Sequence, residues 1–316
     1  MPLDQNLAAV LASLEEAAVL PDPNATPEEI LGQAREDYLK LSFHSRTAEE
    51  IVPIRSVKDI SLPGADGPLT ARVFYPQETG PVPTIVYFHG GGWVIGDLNT
   101  HDNMCRDVCR SAGAVVVSVE YRLAPESPFP AAVDDAVAAT RWVIKNTGDF
   151  GGNDRVGVAG DSAGGNLSAV VAQILRDSGQ TLAGQFLIYP ATDHPDAHYP
   201  SREENGVGYF LETAQMDWFF ASYLGEWSER QDPRLAPMQA KSLAGLPPAL
   251  IVTAEFDPLR DEGEAYGAAL EEAGVQTETR RVDGMIHGFF DMGRWSPNAQ
   301  AAINACSESF GQLLRA

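Results

Sequence analysis

Short apolar runs and longer amphipathic stretches alternate along the chain. The apolar runs fall near residues 51–62, 69–76, 83–88, 114–119, 155–160, 184–190, 248–254 and 276–283, and their length predicts strands. Between them, apolar positions recur every three to four residues over about 101–112, 130–147, 163–178, 261–273 and 297–315, which predicts helices. This alternation predicts an α/β fold: an eight-stranded, mostly parallel sheet with helices on both faces. No helix separates the first two strands, so they are expected to pair antiparallel at one edge.

Two segments break the alternation. Residues 1–45 carry Leu7, Val10, Leu11, Leu14 and Ala18 at amphipathic spacing and need a surface to cover. Residues 191–247 interrupt the sheet between its sixth and seventh strands and are rich in aromatic residues, among them Phe210, Trp218, Phe219, Phe220 and Tyr223. Together they read as a helical cap over the carboxyl ends of the strands. On that reading 1–45 is the N-terminal part of the cap, 46–190 the first part of the catalytic core, 191–247 the cap insertion and 248–316 the second part of the core.

Composition narrows the partners. The 316 residues hold 44 acidic and 22 basic side chains, a formal charge of -22, which argues against nucleic acid or an anionic membrane as a partner and disfavours anionic substrates at long range. Lysine occurs only at 40, 58, 145 and 241; a salt-adapted surface and simple compositional drift both remain open. No apolar run reaches membrane-spanning length, and Met1-Pro2-Leu3-Asp4-Gln5 lacks a basic stretch before an apolar one, so a cytoplasmic protein is expected. Of three cysteines, Cys105 and Cys109 lie one helical turn apart and Cys306 is distant; buried thiols are expected rather than a disulfide framework.

The chemistry begins at Gly160-Asp161-Ser162-Ala163-Gly164-Gly165, between an apolar run and a helix-like stretch. A serine there sits on a sharp strand-to-helix turn, with Oγ clear of the backbone and glycines relieving the crowding. Gly-x-Ser-x-Gly is short enough to occur by chance. The rarer His89-Gly90-Gly91-Gly92-Trp93 closes the upstream run 83–88 and supplies what such a serine needs. Its glycines let backbone approach a substrate oxygen, leaving the amides of Gly91 and Gly92 to join that of Ala163 as an oxyanion hole.

A base and an orienting acid should follow the serine in the order acid, then histidine. Asp257 stands in the turn that leaves the apolar run 250–254, ahead of Pro258, which restricts its backbone. Glu255 is still in the strand or at its edge, and Asp261 stands where the next helix begins, with Glu264 three residues on; capping that helix is the expected role of Asp261. Of six histidines, His89 belongs to the glycine loop, His44 and His101 precede the serine, and His194 and His198 precede Asp257. His287, in a glycine-bracketed loop, is left as the base.

With these residues in place, the chain resembles the hormone-sensitive-lipase-like (bacterial family IV) esterases of the α/β-hydrolase fold, in their GDSAG branch. The matching stretches also include Tyr121–Glu126, Phe129–Ala132, Leu187–Pro190, Asp257–Glu262 and His287–Phe289, in family order across roughly residues 70–290. The resemblance implies a serine carboxylesterase with no cofactor, acting on small ester substrates of short to medium acyl chain. It assigns the nucleophile to Ser162, the acid to Asp257, the base to His287 and the oxyanion hole to Gly91, Gly92 and Ala163. Before residue 50 the likeness is only that of a helical segment. Trp93, beside the glycine loop, and Phe210, in the insertion, are the favoured substrate-contacting side chains. The same triad serves amidases and peptidases, and a ligand-binding scaffold on this fold is the reading from a different class. A homodimer is compatible with the sequence.

Two further patterns are set aside. Asp193-His194-Pro195-Asp196-Ala197-His198 has metal-ligand residue types, but Pro195 spoils the helix that would align its histidines, so no metal site is expected. Between Gly90 and Gly96, Ile95 stands where a dinucleotide fingerprint beginning at Gly90 requires glycine.

Overall fold

Continuous β-branched and aromatic runs such as Val115–Val119 can be buried only where a sheet is covered on both faces, and the computed structural model provides that setting. It describes residues 1–17 and 24–316; Ala18 lies outside them. In chain order the elements are α1 (Gln5–Ala17), α2 (Pro27–Leu39), β1 (Ser56–Gly64), β2 (Gly67–Tyr75), β3 (Val82–Phe88), α3 (Asp102–Ala112), β4 (Val115–Val119), α4 (Ala131–Asn146), β5 (Gly152–Asp161), α5 (Ala163–Asp177) and β6 (Gly184–Ile188). There follow α6 (Pro200–Glu204), α7 (Thr213–Leu224), β7 (Ala249–Phe256), α8 (Arg260–Glu272), β8 (Thr277–Ile286) and α9 (Pro297–Arg315).

The eight strands form one sheet in the order β1-β2-β4-β3-β5-β6-β7-β8. β1 pairs antiparallel with β2 and β2 antiparallel with β4, whereas the remaining neighbours run parallel. The antiparallel edge is the one expected from the missing helix. Alternate residues feed two cores: Val86 and Phe88 face α4, α5 and α8, while Ile85 and Tyr87 face α3 and α9. After β3 the chain goes out to β4 and then steps back across β3 to β5. The loops leaving β3 and β5 therefore part at their carboxyl ends, the crevice where open α/β sheets place ligands. All three cysteines are buried as free thiols.

Strand ends differ from expectation for local reasons. β1 begins at Ser56 rather than near 51, because a short 3-10 turn, Ala48–Glu50, comes first and Pro53 brings no N–H to a ladder. β5 begins at Gly152. β6 stops at Ile188, because Tyr189 turns to φ 33, outside the strand region.

The covering segments are built differently. α2 starts on a capping box in which Thr26 and Glu29 satisfy each other's amides, with Pro27 at the first helical position. The amphipathic face of α1 is divided: Leu7 is buried with the α3/α9 core, while Leu14 reaches the crevice. In the insertion, Arg202 of α6 pairs at 2.7 Å with the fully buried Glu262 of α8. Burial raises the Glu262 pKa above its ordinary value even though Arg202 opposes the shift. Asp261 corrects an expectation. Instead of capping α8, its Oδ2 accepts the Ser201 amide in the first turn of α6 at 2.9 Å and its Oδ1 accepts from Arg260. Glu264 is engaged by Arg281 and Thr253. Among the described residues no helix is long and apolar enough to cross a membrane.

Candidate active site

β5 delivers Ser162 to the crevice in a conformation that most residues avoid, φ 53 and ψ -119. The turn is held by the Ser162 amide donating to the Ile188 carbonyl at 2.8 Å and by the Ser162 carbonyl accepting from Asn166 at 3.0 Å. No side chain fits beside it: a Cβ on Gly164 would overlap the Phe88 carbonyl, and one on Gly160 the Gly164 backbone. The two glycines thus let β5, α5 and the end of β3 meet, and Oγ projects into a cavity of about 640 Å³.

The structure brings the three sequence-selected side chains together. His287 Nε2 lies 3.0 Å from Ser162 Oγ, and His287 Nδ1 lies 2.8 Å from Asp257 Oδ2. Asp257 is fully buried; its second oxygen accepts the Leu259 amide at 2.8 Å, and Asn205 donates to its carbonyl, so the carboxylate has one orientation available. Glu255 points elsewhere and accepts from the Gly284 amide. Such an array can take a proton from a serine hydroxyl and stabilise the imidazolium that results.

The glycine loop faces the same point. Gly91, Gly92 and Trp93 all have positive φ, at 107, 59 and 60, and the Gly91 carbonyl closes the turn by accepting from Val94 and Ile95. Gly91, Gly92 and Ala163 line the cavity with Ser162, and their amides have no acceptor among the described residues. Such amides can stabilise an oxyanion. Trp93 is only 2% exposed and stacks on Tyr223 of α7 at 4.4 Å; Phe210, half-buried, leans over Gly288. Both line the cavity, with Trp218, Phe219 and Phe220 of α7.

Sequence reasoning passed over three participants. Asp161, the unread position of the serine motif, is buried, and its Oδ1 accepts the Gly90 amide at 3.0 Å and the Tyr87 hydroxyl at 2.8 Å. Burial alone would raise its pKa, but the buried His101 beside it at 3.4 Å holds it below the ordinary value. Asp161 in turn lifts His101 above its ordinary value against burial, whereas burial and the nearby His101 push His89 down to about 4. The signal was present in the motif: two residues before the end of so tight a turn, a carboxylate is aimed back at the neighbouring loop. Tyr189 packs its ring 4.6 Å from that of His287, and Phe219 occupies the space where a Cβ on Gly92 would stand. Tyr189 falls in the matching stretch Leu187–Pro190 and Phe219 in the aromatic run of the insertion, but neither pattern singles the residue out for the site. Of the 193–198 pattern, Asp193 accepts from Tyr199 and Gln239 and Asp196 pairs with Arg230.

Comparison with known proteins identifies the family. A family model described as the alpha/beta hydrolase fold matches residues 85–291. The chain is 47% identical over 256 residues to the carboxylic ester hydrolase LipN of Mycobacterium tuberculosis, covering 78% of this chain and 68% of that protein. It is 37% identical to the ethyl acetate hydrolase of Pseudomonas putida, covering 82% and 83% of the two chains. Among solved structures, the hyperthermophilic esterase of the archaeon Pyrobaculum calidifontis superposes with a TM-score of 0.93 at 40% identity over the whole of both chains. The chain therefore belongs to the α/β-hydrolase family, among the hormone-sensitive-lipase-like carboxylic ester hydrolases.

Proposed function

We propose that the protein is a serine carboxylesterase that hydrolyses neutral esters of short to medium acyl chain through an acyl-enzyme. The observation that carries this reading is the unbroken relay from Ser162 Oγ through His287 to buried Asp257, facing three unpartnered amides in a mainly apolar cavity. Ser162 Oγ attacks the ester carbonyl carbon while its proton passes to His287 Nε2. Asp257 holds the imidazole in the tautomer that leaves Nε2 free to accept. The amides of Gly91, Gly92 and Ala163 take the negative charge that develops on the carbonyl oxygen. When the tetrahedral intermediate collapses, His287 gives the proton to the departing alkoxide, and the acyl group stays on Ser162. Water then attacks that acyl carbon, His287 accepts its proton and returns it to Ser162 Oγ, and the carboxylic acid leaves.

Residues 1–45 and 191–247 act as the cap, and 46–190 and 248–316 supply the catalytic core. The cavity walls, which include Trp218, Phe219, Phe220, Leu14, Ala34 and Leu41, set the chain-length limit. Each added methylene gains about 0.8 kcal/mol until it meets a wall, then costs strain. The carboxylate of Asp37 at the rim and the net charge of -22 favour neutral over anionic esters. A kcat/KM series on aryl esters tests the reading: the maximum is expected between about two and eight carbons, and a series still rising beyond about twelve would overturn it.

A further inference from the structure

Gly91, Gly92 and Trp93 are three successive residues with positive φ, a strained run that the two bonds to the Gly91 carbonyl close from within. From outside, Asp161 holds the start of the loop through the Gly90 amide, and a side chain from the N-terminal segment holds its far end. Arg35 of α2 donates Nε to the Val94 carbonyl at 3.0 Å and Nη2 to the Ala124 carbonyl at 3.2 Å. The two acceptors belong to one structure, because the Ala124 amide donates to the Trp93 carbonyl at 2.9 Å. Glu126 grips the other edge of the guanidinium through two bonds, at 2.6 and 2.8 Å, and Arg35 holds the Glu126 carboxyl below its ordinary pKa. A planar fork of fixed donors can span two carbonyls and a carboxylate at once; a lysine ammonium presents a single point. Arg35 does not line the cavity, although its helix neighbours Ala34, Asp37 and Tyr38 do.

On the reading of Gly91 and Gly92 as oxyanion donors, we propose that Arg35 is a positioning residue for the reaction: by clamping Val94 to Ala124 it keeps the two amides aimed at the oxyanion. This gives the segment before residue 50 a part in turnover besides covering the crevice. The consequence is selective. A bond to the oxyanion strengthens in the transition state, so a loosened loop lowers kcat and leaves binding of the uncharged ester nearly unchanged.

The test uses the full-length protein and an acetate ester, whose acyl group is too short to depend on the wall formed by α2. Full loss of one oxyanion donor typically costs about 10²–10³ in kcat, so a loosened pair in Arg35→Ala is expected to lose about tenfold, with KM within about twofold. Affinity for an alkyl boronic acid, which forms a tetrahedral adduct on serine, should fall by the same factor. Arg35→Lys should be intermediate, because it keeps the charge without the fork. Glu126→Gln, at an exposed side chain, should lose about two- to threefold in kcat and boronate affinity. If Arg35→Ala does not fold, Glu126→Gln decides on the same readouts. The proposal fails if folded variants raise KM at constant kcat, if kcat falls without weaker boronate binding, or if only the melting temperature moves. Failure of wild-type Ser162 to react with a phosphonate would instead defeat the catalytic reading itself, which keeps the two outcomes apart.

Discussion

The strand-end loops beneath the cavity and the segments above it are held in opposite ways. Below, Ser162, Asp257 and His287 stand on turns fixed by backbone hydrogen bonds and by glycines that admit no side chain, and Asp257 and His287 are buried. Above, α2, α6 and α7 are attached through a few polar anchors, chiefly Arg35 on Val94 and Arg202 on Glu262, and through aromatic contacts such as Trp93 on Tyr223. The contrast teaches a division of labour. Reacting atoms need positions fixed to fractions of an ångström, which backbone geometry supplies. Walls need only shape and apolar surface, and many sequences provide those.

The comparison breaks if changes below and above have similar effects. The largest loss is expected below: Ser162→Ala should stay folded and lower turnover by about 10⁴-fold or more, leaving the residual rate of the oxyanion hole and binding. Asp257→Asn should follow at roughly 10⁴-fold in kcat, because the amide presents His287 with the wrong tautomer, and a circular dichroism spectrum should show the fold intact.

Above, apart from the roughly tenfold kcat loss expected for Arg35→Ala, the expected losses are in stability. Arg202→Ala strands buried Glu262 and should cost about 3–5 kcal/mol in denaturant titrations at neutral pH. The sign of its pH dependence follows from the raised Glu262 pKa. A carboxyl whose folded pKa lies above its unfolded value of 4.5 contributes stability that is complete below 4.5 and is lost as pH rises through the folded pKa. Removing Arg202 takes away the influence that opposes that rise, so the penalty should shrink as pH falls towards 4.5; a penalty independent of pH would show that Glu262 is not the stranded group. The smallest effect is expected for Asp261→Asn, at about 1 kcal/mol or less with activity largely kept, because an amide oxygen can still accept from Ser201. A larger kcat loss at 261 than at 257 would overturn the choice of acid.

The same division explains what could be read from sequence. All eight strands and five of the helices followed from periodicity, and Ser162, Asp257 and His287 from turn chemistry and chain order, because each constraint acts within a few residues. Arg35 could not be found that way: its partners lie 59, 89 and 91 residues away, and nothing near it in sequence marks an arginine that spans two carbonyls. Asp261 was misplaced for the same reason, since the amide it accepts is 60 residues distant in α6. The aromatic insertion was legible as a break in the alternation of strands and helices. Which rings face the cavity depended on how α7 lies across the glycine loop, and that is set by packing rather than by pattern.

The central claim is that Ser162, activated by His287, is the atom that accepts the acyl group. Incubation with a p-nitrophenyl alkylphosphonate tests it directly, through release of p-nitrophenol and peptide mass mapping. One equivalent of nitrophenol should appear, loss of esterase activity should track it, and the phosphonyl mass should map to the peptide bearing Ser162, with reaction abolished in Ser162→Ala. Stoichiometric label on any other residue, or full activity after Ser162 is modified, would contradict the account.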